Sequence, residues 1–442
     1  MNPTPRDLPC DLLISADLIL TQDEERRVLE NATVAVRGGQ IAALGPKDSF
    51  ADLQTAERLD LGRALLMPGL INAHTHVPMT FFRGLADDLP LEEWLKGYIF
   101  PREQGLTAEI TELGALLACA EMTRFGCTAF ADMYLFEDSV AAAVDRAGLR
   151  ALLGEAVFAF PTPASASFAA VCDKVREQAI RFKNHSRLRV AVMPHTVYTT
   201  TREILRASAD LAAELDLPLH IHLAETAYEV ESCVREKGLR PLAYCRELGL
   251  LGPSTTLAHC VMLNEDELDE LEVSRAKVAH NPKSNMKLAS GVAPVPAMLR
   301  RGILPGLGTD GAASNNSLNL FAEMSACALL HKVFAADPTV CTAKDVLDMA
   351  TIGSAAALSW PELGRLVPGG PADMIALDLK SPNLQPLFNP ASQVVYATCG
   401  QEVCFSMVEG RILYQDGAYL ALDHEEVLRE ADKLFAWARK KL

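Results

Sequence analysis

Between residues 65 and 310 the sequence repeats one pattern eight times: a short, nearly continuous apolar run that closes on a polar residue, then a segment with helical spacing. The runs cover 65–76, 127–133, 150–157, 188–195, 217–225, 255–261, 277–281 and 303–310. Unbroken apolarity is what a strand needs when both faces of a parallel sheet are covered, and the intervening helices supply the cover. In 108–125, Ile110, Leu113, Leu117, Ala120 and Met122 fall on roughly one side, and Gly126 stops the turn. At 264–271, Asn264 with Glu267 three residues on has the form of a capping box. Eight strand–helix units predict an α/β fold built on a closed (β/α)8 barrel, spanning 66–361.

Both ends of the chain read differently. Residues 11–20, 32–37 and 40–44, with Gly38-Gly39 as a turn, have the short alternating runs of a β-meander. β character returns at 372–379, 394–397, 404–409 and 411–414, before a last amphipathic helix over 425–441. Neither end has enough strands to stand alone. Segments 1–65 and 362–442 are therefore expected to pair into one small β-sandwich beside the barrel.

Charge narrows the choice of partner. The chain carries 41 basic and 57 acidic residues, a net charge of −16, and its longest basic clusters are the pairs Arg26-Arg27, Arg300-Arg301 and Lys440-Lys441. Such a chain repels phosphate backbones and anionic lipid, so neither nucleic acid nor a membrane is the expected partner. The early apolar stretch 12–20 is interrupted by Ser15 and Asp17 and reads as a strand, not as a signal or membrane segment. Eleven cysteines, an odd count without paired CxxC spacing, sit largely in apolar patterns, as Cys119, Cys127, Cys260 and Cys327 do. Free core thiols suit a reducing, cytoplasmic setting. The sequence allows a homo-oligomer without specifying one.

In a barrel of this kind the reactive groups lie at the C-terminal ends of the strands, where the loops surround a shared mouth. His74 and His76 end the first run two residues apart, so on a strand they address the same face. His195, His222, His259 and His280 end the fourth to seventh runs, and Asp310 ends the eighth; His185, His331 and His424 lie elsewhere. Three neutral imidazoles and a carboxylate suit one Zn²⁺ per chain, or Fe²⁺ or Mn²⁺, and leave a coordination position for water. A bound divalent ion lowers the pKa of that water towards about 7, which points to hydrolytic chemistry.

The motifs Pro68-Gly-Leu-Ile-Asn-Ala-His-Thr-His76, His222-Leu-Ala-Glu225, His259-Cys260 and Gly308-Thr-Asp-Gly-Ala-Ala-Ser-Asn-Asn316 resemble the amidohydrolase superfamily, in its single-metal deaminase branch. Met79-Thr-Phe-Phe-Arg-Gly-Leu-Ala-Asp-Asp-Leu-Pro90 and Glu92-Glu-Trp-Leu95 are most similar to the 5-methylthioadenosine/S-adenosylhomocysteine deaminases, and the match runs in order from about residue 10 to about 420. The resemblance implies a TIM barrel of the metal-dependent hydrolase type that attacks purine C6 of an adenine nucleoside with activated water. It implies His74, His76, His222 and Asp310 as metal ligands. Asp310 would take the proton of the attacking water, Glu225 would shuttle it to the ring and the departing amine, and His259 would hydrogen-bond the attacking oxygen. Glu103 would hold the ribose hydroxyls and His195 would contact the nucleoside. Trp94 and Phe82 are candidates for the wall near the 5′ substituent. His220 reads as barrel interior behind His222, and His280 as pocket wall or ligand support.

One departure bears on the substrate. In some relatives an arginine holds the amino-acid carboxylate of S-adenosylhomocysteine; Glu155 stands in that place here, and no arginine occurs between Arg150 and Arg176. A negative group cannot replace a bidentate clamp. The expectation is that 5-methylthioadenosine, 5-deoxyadenosine or adenosine is handled better than S-adenosylhomocysteine, unless Arg83 or Arg202 supplies the charge. Two other readings compete: a hydrolase acting on a triazine, guanine or cytosine-type ring, and a barrel retained as a noncatalytic subunit, which would show damaged ligands.

Overall fold

The computed structural model describes residues 10–53 and 55–440. Residues 1–9 and 54 of the expected N-terminal segment, residue 441 of the expected final helix, which is one lysine of the 440–441 pair, and residue 442 lie outside the described residues.

The N-terminal part forms strands β1 (Cys10–Leu20), β2 (Val28–Arg37), β3 (Gln40–Pro46), β4 (Thr55–Asp60) and β5 (Ala64–Pro68). The first of the eight apolar runs, expected as one strand, divides at Gly69. β5 joins the terminal sheet, whereas β6 (Leu70–Thr75) opens the barrel. The cause is local. Pro68 has no N–H to donate, and a Cβ on Gly69 would stand 2.1 Å from Thr128 Oγ1, so the chain changes sheets at a point where only glycine fits.

The barrel continues through β7 (Cys127–Tyr134), β8 (Arg150–Val157), β9 (Leu188–Val190) with β10 (Met193–Pro194), β11 (Leu219–Leu223), β12 (Thr255–His259), β13 (Lys277–His280) and β14 (Gly306–Leu307). All neighbouring pairs are parallel. Val192 bridges to Leu219, and Asp310 N donates to His74 O at 3.0 Å, which closes the ring. The fourth run is therefore broken into two short strands, and the eighth keeps only two strand residues. The two β6 faces are both buried, as continuous apolarity requires. The helix Ala108–Arg124 ends before Gly126, and Asn264 with Glu267 forms the capping box of the helix Glu265–Ser274.

After the barrel come β15 (Met374–Asp378), β16 (Val403–Val408), β17 (Arg411–Gln415) and β18 (Ala418–Tyr419). The expected sandwich is one nine-stranded sheet, in which antiparallel pairing of β5 with β15 joins the two ends of the chain. The sheet curls until Gly39, in the β2–β3 turn, meets Glu409 in the β16–β17 turn. Leu66, Met374, Ala376, Phe405 and Met407 face the curled interior with Leu12, Ile14 and Val34. The alternate residues Leu65, Met67, Ile375 and Leu377 pack on the barrel instead. Residues 394–397, read as a strand from Val394-Val395, lie in a wide helical turn, Gln393–Ala397. Asn389 caps its start by accepting from Ser392 N, Pro390 fixes the first turn, and the two valines are buried among the barrel helices. The last helix, His424–Lys440, packs along Ala108–Arg124.

Candidate active site

The sequence-predicted site residues converge at the C-terminal mouth of the barrel. A cleft there is lined by His76, Trp94, Glu103, His195, His222, Glu225, His259 and Asp310, together with Met79, Phe100, Tyr134, Phe158 and Leu288. His259 (φ 72°) and Asp310 (φ 60°), with Ala224 (φ 50°) and Cys260 (φ 52°) beside the site residues, sit where the chain turns out of a strand in left-handed backbone. Each such residue costs on the order of 1–3 kcal/mol, which the surrounding packing has to offset.

The imidazoles are oriented from behind. His76 Nδ1 lies 2.6 Å from Met133 O, and His222 Nδ1 lies 2.8 Å from His195 O. A carbonyl can only accept, so the ring protons are on Nδ1 and the two Nε2 lone pairs point into the site. Those two Nε2 atoms are 3.3 Å apart. His76 Nε2 is also 3.2 Å from Asp310 Oδ1, and His74 Nε2 is 3.6 Å from the same oxygen. His74 Nδ1 contacts His220 Nε2 at 2.9 Å, while His74 Nε2 is buried with no hydrogen-bond partner. Lone pairs that face one another at such distances repel unless a cation lies among them. His74, His76 and Asp310 form one cluster of possible ligand atoms and His74, His222 and His259 another, and the His76–His222 approach joins the two, so a set of His74, His76, His222 and Asp310 fits a divalent metal ion.

Titration runs the same way. Burial holds His74 down to about 4, and holds His222 and His220 well below the usual imidazole value, so all three are neutral, the form in which His74 and His222 can ligate. Burial also lowers His76, but its neighbour Asp310 outweighs that effect and raises it. For Asp310 burial acts upward; the adjoining imidazoles of His74 and His76 overcome it and hold the carboxyl well below its ordinary range. Asp310 Oδ2 also accepts from Ser284 (2.6 Å) and Ser314 (2.8 Å), and Oδ1 accepts from Gly311 N (2.8 Å).

Glu225 follows β11, and its backbone N–H donates to Glu229 Oε2 at 2.8 Å. Ser290 donates to its Oε1 at 3.3 Å, and its Oε2 is 3.8 Å from His259 Nε2. Burial pushes the Glu225 carboxyl up to about 8, a value suited to a group that gains and loses a proton near neutrality. His259 is held on its Nδ1 side by Asn285 at 2.9 Å, and burial lowers it to about 4. His195 packs against Phe158 (ring centroids 4.6 Å apart) and bonds Thr199 Oγ1 at 2.9 Å. Glu103 is buried and accepts from the Tyr134 hydroxyl at 2.7 Å.

A scan against family profiles matches the amidohydrolase family over residues 65–413. The chain belongs to the amidohydrolase family. This amidohydrolase is 57% identical, over 98% of its length and 99% of the relative's, to a protein of Nitratidesulfovibrio vulgaris (strain DP4) named 5-methylthioadenosine/S-adenosylhomocysteine deaminase. It is 42% identical, over 95% of its length and 97% of the relative's, to a 5'-deoxyadenosine deaminase of Methanothermobacter thermautotrophicus. A crystal structure of a zinc-bound adenosine deaminase from Xanthomonas campestris superposes with a TM-score of 0.95 at 36% identity, covering 98% of this chain and 99% of that one. The resemblance read from the motifs is thereby borne out at the level of the family.

Three placements expected from the sequence differ in detail. Phe82 is absent from the cleft and packs against Phe81 and Trp437. His280 turns away from the cleft, with its Nε2 3.1 Å from Nε2 of buried His331, an N–H···N contact behind the barrel wall. Glu155 also lies outside the cleft lining; its oxygens accept from the backbone N–H groups of Phe136 and Glu137, at the start of the helix Glu137–Ala147. Sequence reasoning missed Tyr134, Phe100, Phe158 and Leu288. Tyr134 is the last residue of β7, one position beyond the apolar run 127–133, and its place at the strand end is the signal that could have found it.

Proposed function

We propose that this amidohydrolase removes the 6-amino group of an adenine nucleoside by hydrolysis, giving the inosine analogue and ammonia. The observation that carries the reading is the opposition of His76 Nε2 and His222 Nε2 at 3.3 Å, beside Asp310, in a cleft that also presents Glu225 and Glu103. His74, His76, His222 and Asp310 would hold the ion, with Zn²⁺ favoured by three imidazoles and one carboxylate. When bound, a divalent ion makes water nucleophilic at neutral pH. Asp310 would take one proton of the attacking water while protonated Glu225 gives its own to the ring nitrogen. The Glu225 carboxylate would next take the remaining hydroxyl proton and pass it to the amine, which leaves as ammonia as the C6 carbonyl forms, and the proton held on Asp310 would return to Glu225. His259 would keep its Nε2 proton and donate a hydrogen bond from it to the oxygen at C6 as charge develops there. Glu103 accepts the ribose hydroxyls, and His195 with Phe158 walls the nucleoside.

Leu91, Trp94, Leu95, Phe100 and Phe158 give the cleft an apolar wall, which this reading assigns to the 5′ substituent, and among the described residues the lining includes no arginine or lysine. Arg83 is bound to Glu121 and to Asn316 O, and Arg202 to Glu247, so neither is directed at this cleft. An alkylthio or methyl group is accommodated there, whereas the charged end of S-adenosylhomocysteine meets no clamp. The test is a spectrophotometric and ammonia-release panel on protein of known metal content. About one metal per chain is expected, with turnover of adenosine, 5-methylthioadenosine and 5-deoxyadenosine. For S-adenosylhomocysteine kcat/KM should be lower by ~10-fold or more, the equivalent of one missing charge-assisted contact. An inert metal-loaded protein would sink the deaminase reading, and a preference for S-adenosylhomocysteine would sink the apolar-end argument.

A further inference from the structure

Glu103 lies at the end of an excursion, 91–103, that leaves the barrel after β6 and carries Leu91, Trp94, Leu95, Ile99 and Phe100 into the cleft. Tyr134 stands on the opposite side of that joint, as the last residue of β7, which is buried along its whole length. Its hydroxyl donates to Glu103 Oε1 at 2.7 Å, while among the described residues no group donates to Oε2. The carboxylate is thus half-satisfied by the protein and half-open to the cleft that both residues line.

Two physical consequences follow from that arrangement. A carboxylate accepts the hydrogen bonds of a vicinal diol only when ionised, and burial works against ionisation, pushing Glu103 up to about 6. The Tyr134 hydrogen bond opposes that push, and burial beside Glu103 keeps the tyrosine itself protonated as a donor. The bond also fixes the rotation of the carboxyl group, so that Oε2 and the second lone pair of Oε1 are presented together. An acyclic or free-base substrate draws nothing from this arrangement.

We propose that Tyr134 is the positioning residue for ribose selection: by holding Glu103 Oε1 from the rigid strand end, it makes the carboxylate of the excursion an oriented acceptor for the 2′- and 3′-hydroxyls of the nucleoside. Tyr134 does not touch the reacting carbon in this scheme and acts through Glu103. The inference rests on the nucleoside reading given above and deepens it.

The experiment compares adenosine with 2′,3′-dideoxyadenosine on the metal-loaded wild type, Tyr134→Phe, Glu103→Gln and the double variant. Phenylalanine keeps the ring and its packing, and an unchanged melting temperature confirms that the fold is retained. Tyr134→Phe should raise KM for adenosine about 10-fold with little change in kcat, the loss of one hydrogen bond to a charged group. It should leave KM for the dideoxy substrate within about twofold and add nothing in the Glu103→Gln background, because neither substrate nor carboxylate then uses the bond. If Glu103→Gln spares the dideoxy substrate but Tyr134→Phe hurts both substrates alike, or neither, the role given to Tyr134 is wrong while the ribose reading stands. If Glu103→Gln itself makes no distinction between the two substrates, the ribose reading fails and takes this inference with it.

Discussion

Asp373 fastens the curled terminal sheet to the floor of the barrel, and removing it should be costly in a way that can be worked out. Its Oδ2 meets Arg150 Nε at 2.6 Å and its Oδ1 meets Arg150 Nη2 at 3.1 Å, while Oδ1 also accepts from Glu409 N at 2.8 Å. The two side chains are only 4% and 6% exposed. With Asp373→Ala, the buried guanidinium keeps one partner, Ser186 O at 2.6 Å, and the face of Trp360 at 5.4 Å. Stranding a charge in this way costs about 3–5 kcal/mol. At about 2 cal/mol/K per residue, the unfolding entropy of a 442-residue chain is on the order of 1 kcal/mol/K, so the melting temperature should fall by about 3–5 °C. Scanning calorimetry of the metal-loaded protein measures it. Arg150→Met combined with Asp373→Ala should recover much of the loss, since an apolar replacement removes the stranded charge. Arg150 begins β8, at the end of the barrel away from the cleft, so kcat well below the transition should stay within about twofold of wild type. A fall of less than about 1 °C, or a double variant no more stable than the single one, would refute the reasoning.

Two further outcomes concern the chemistry. Glu225→Gln should lower kcat by about 10²–10⁴-fold through loss of proton transfer; elemental analysis should still find about one metal per chain, because Glu225 stands outside the proposed donor set. A parallel loss of metal would place it among the ligands. Glu103 provides a pH signature. Its carboxyl is raised from 4.5 to about 6, so the fold favours the protonated form: its contribution to stability is present at low pH and is lost as pH climbs through about 6, whereas its capacity to accept ribose hydroxyls appears over the same interval. KM for adenosine should therefore fall as pH rises through about 6 while KM for 2′,3′-dideoxyadenosine stays flat; parallel curves would detach Glu103 from the sugar.

The barrel and most of its mouth are legible because two constraints coincide in the sequence. Strands covered on both faces leave unbroken apolar runs, and a reactive mouth leaves polar residues at their ends, so His74, His76, His222, His259 and Asp310 announce themselves by position. What escapes depends on geometry that no local pattern encodes. Residues 65–71 are apolar throughout, and the change of sheet at Gly69 is decided by the proximity of Thr128, far along the chain. Val394-Val395 carries strand propensity, yet the Asn389-Pro390 start and burial among helices override it. His280 ends a strand as the site residues do, but its ring finds His331 on the outer side. Phe100 and Phe158 are aromatic residues like many others in the chain, and only the folded loops give them a shared wall.

Pairing of β5 with β15 ties residues 64–68 to residues 374–378, with the whole barrel between them. During synthesis at about 5–20 residues per second, the N-terminal strands must wait roughly 15 to 60 s for the ribosome to deliver their partner. Over that interval one side of β5 is an unzipped border, apolar on both faces and open to the wrong neighbour. A chain cut short before β15 keeps that border permanently, so premature termination anywhere upstream of that strand, even with the barrel complete, should yield aggregates rather than a shortened enzyme.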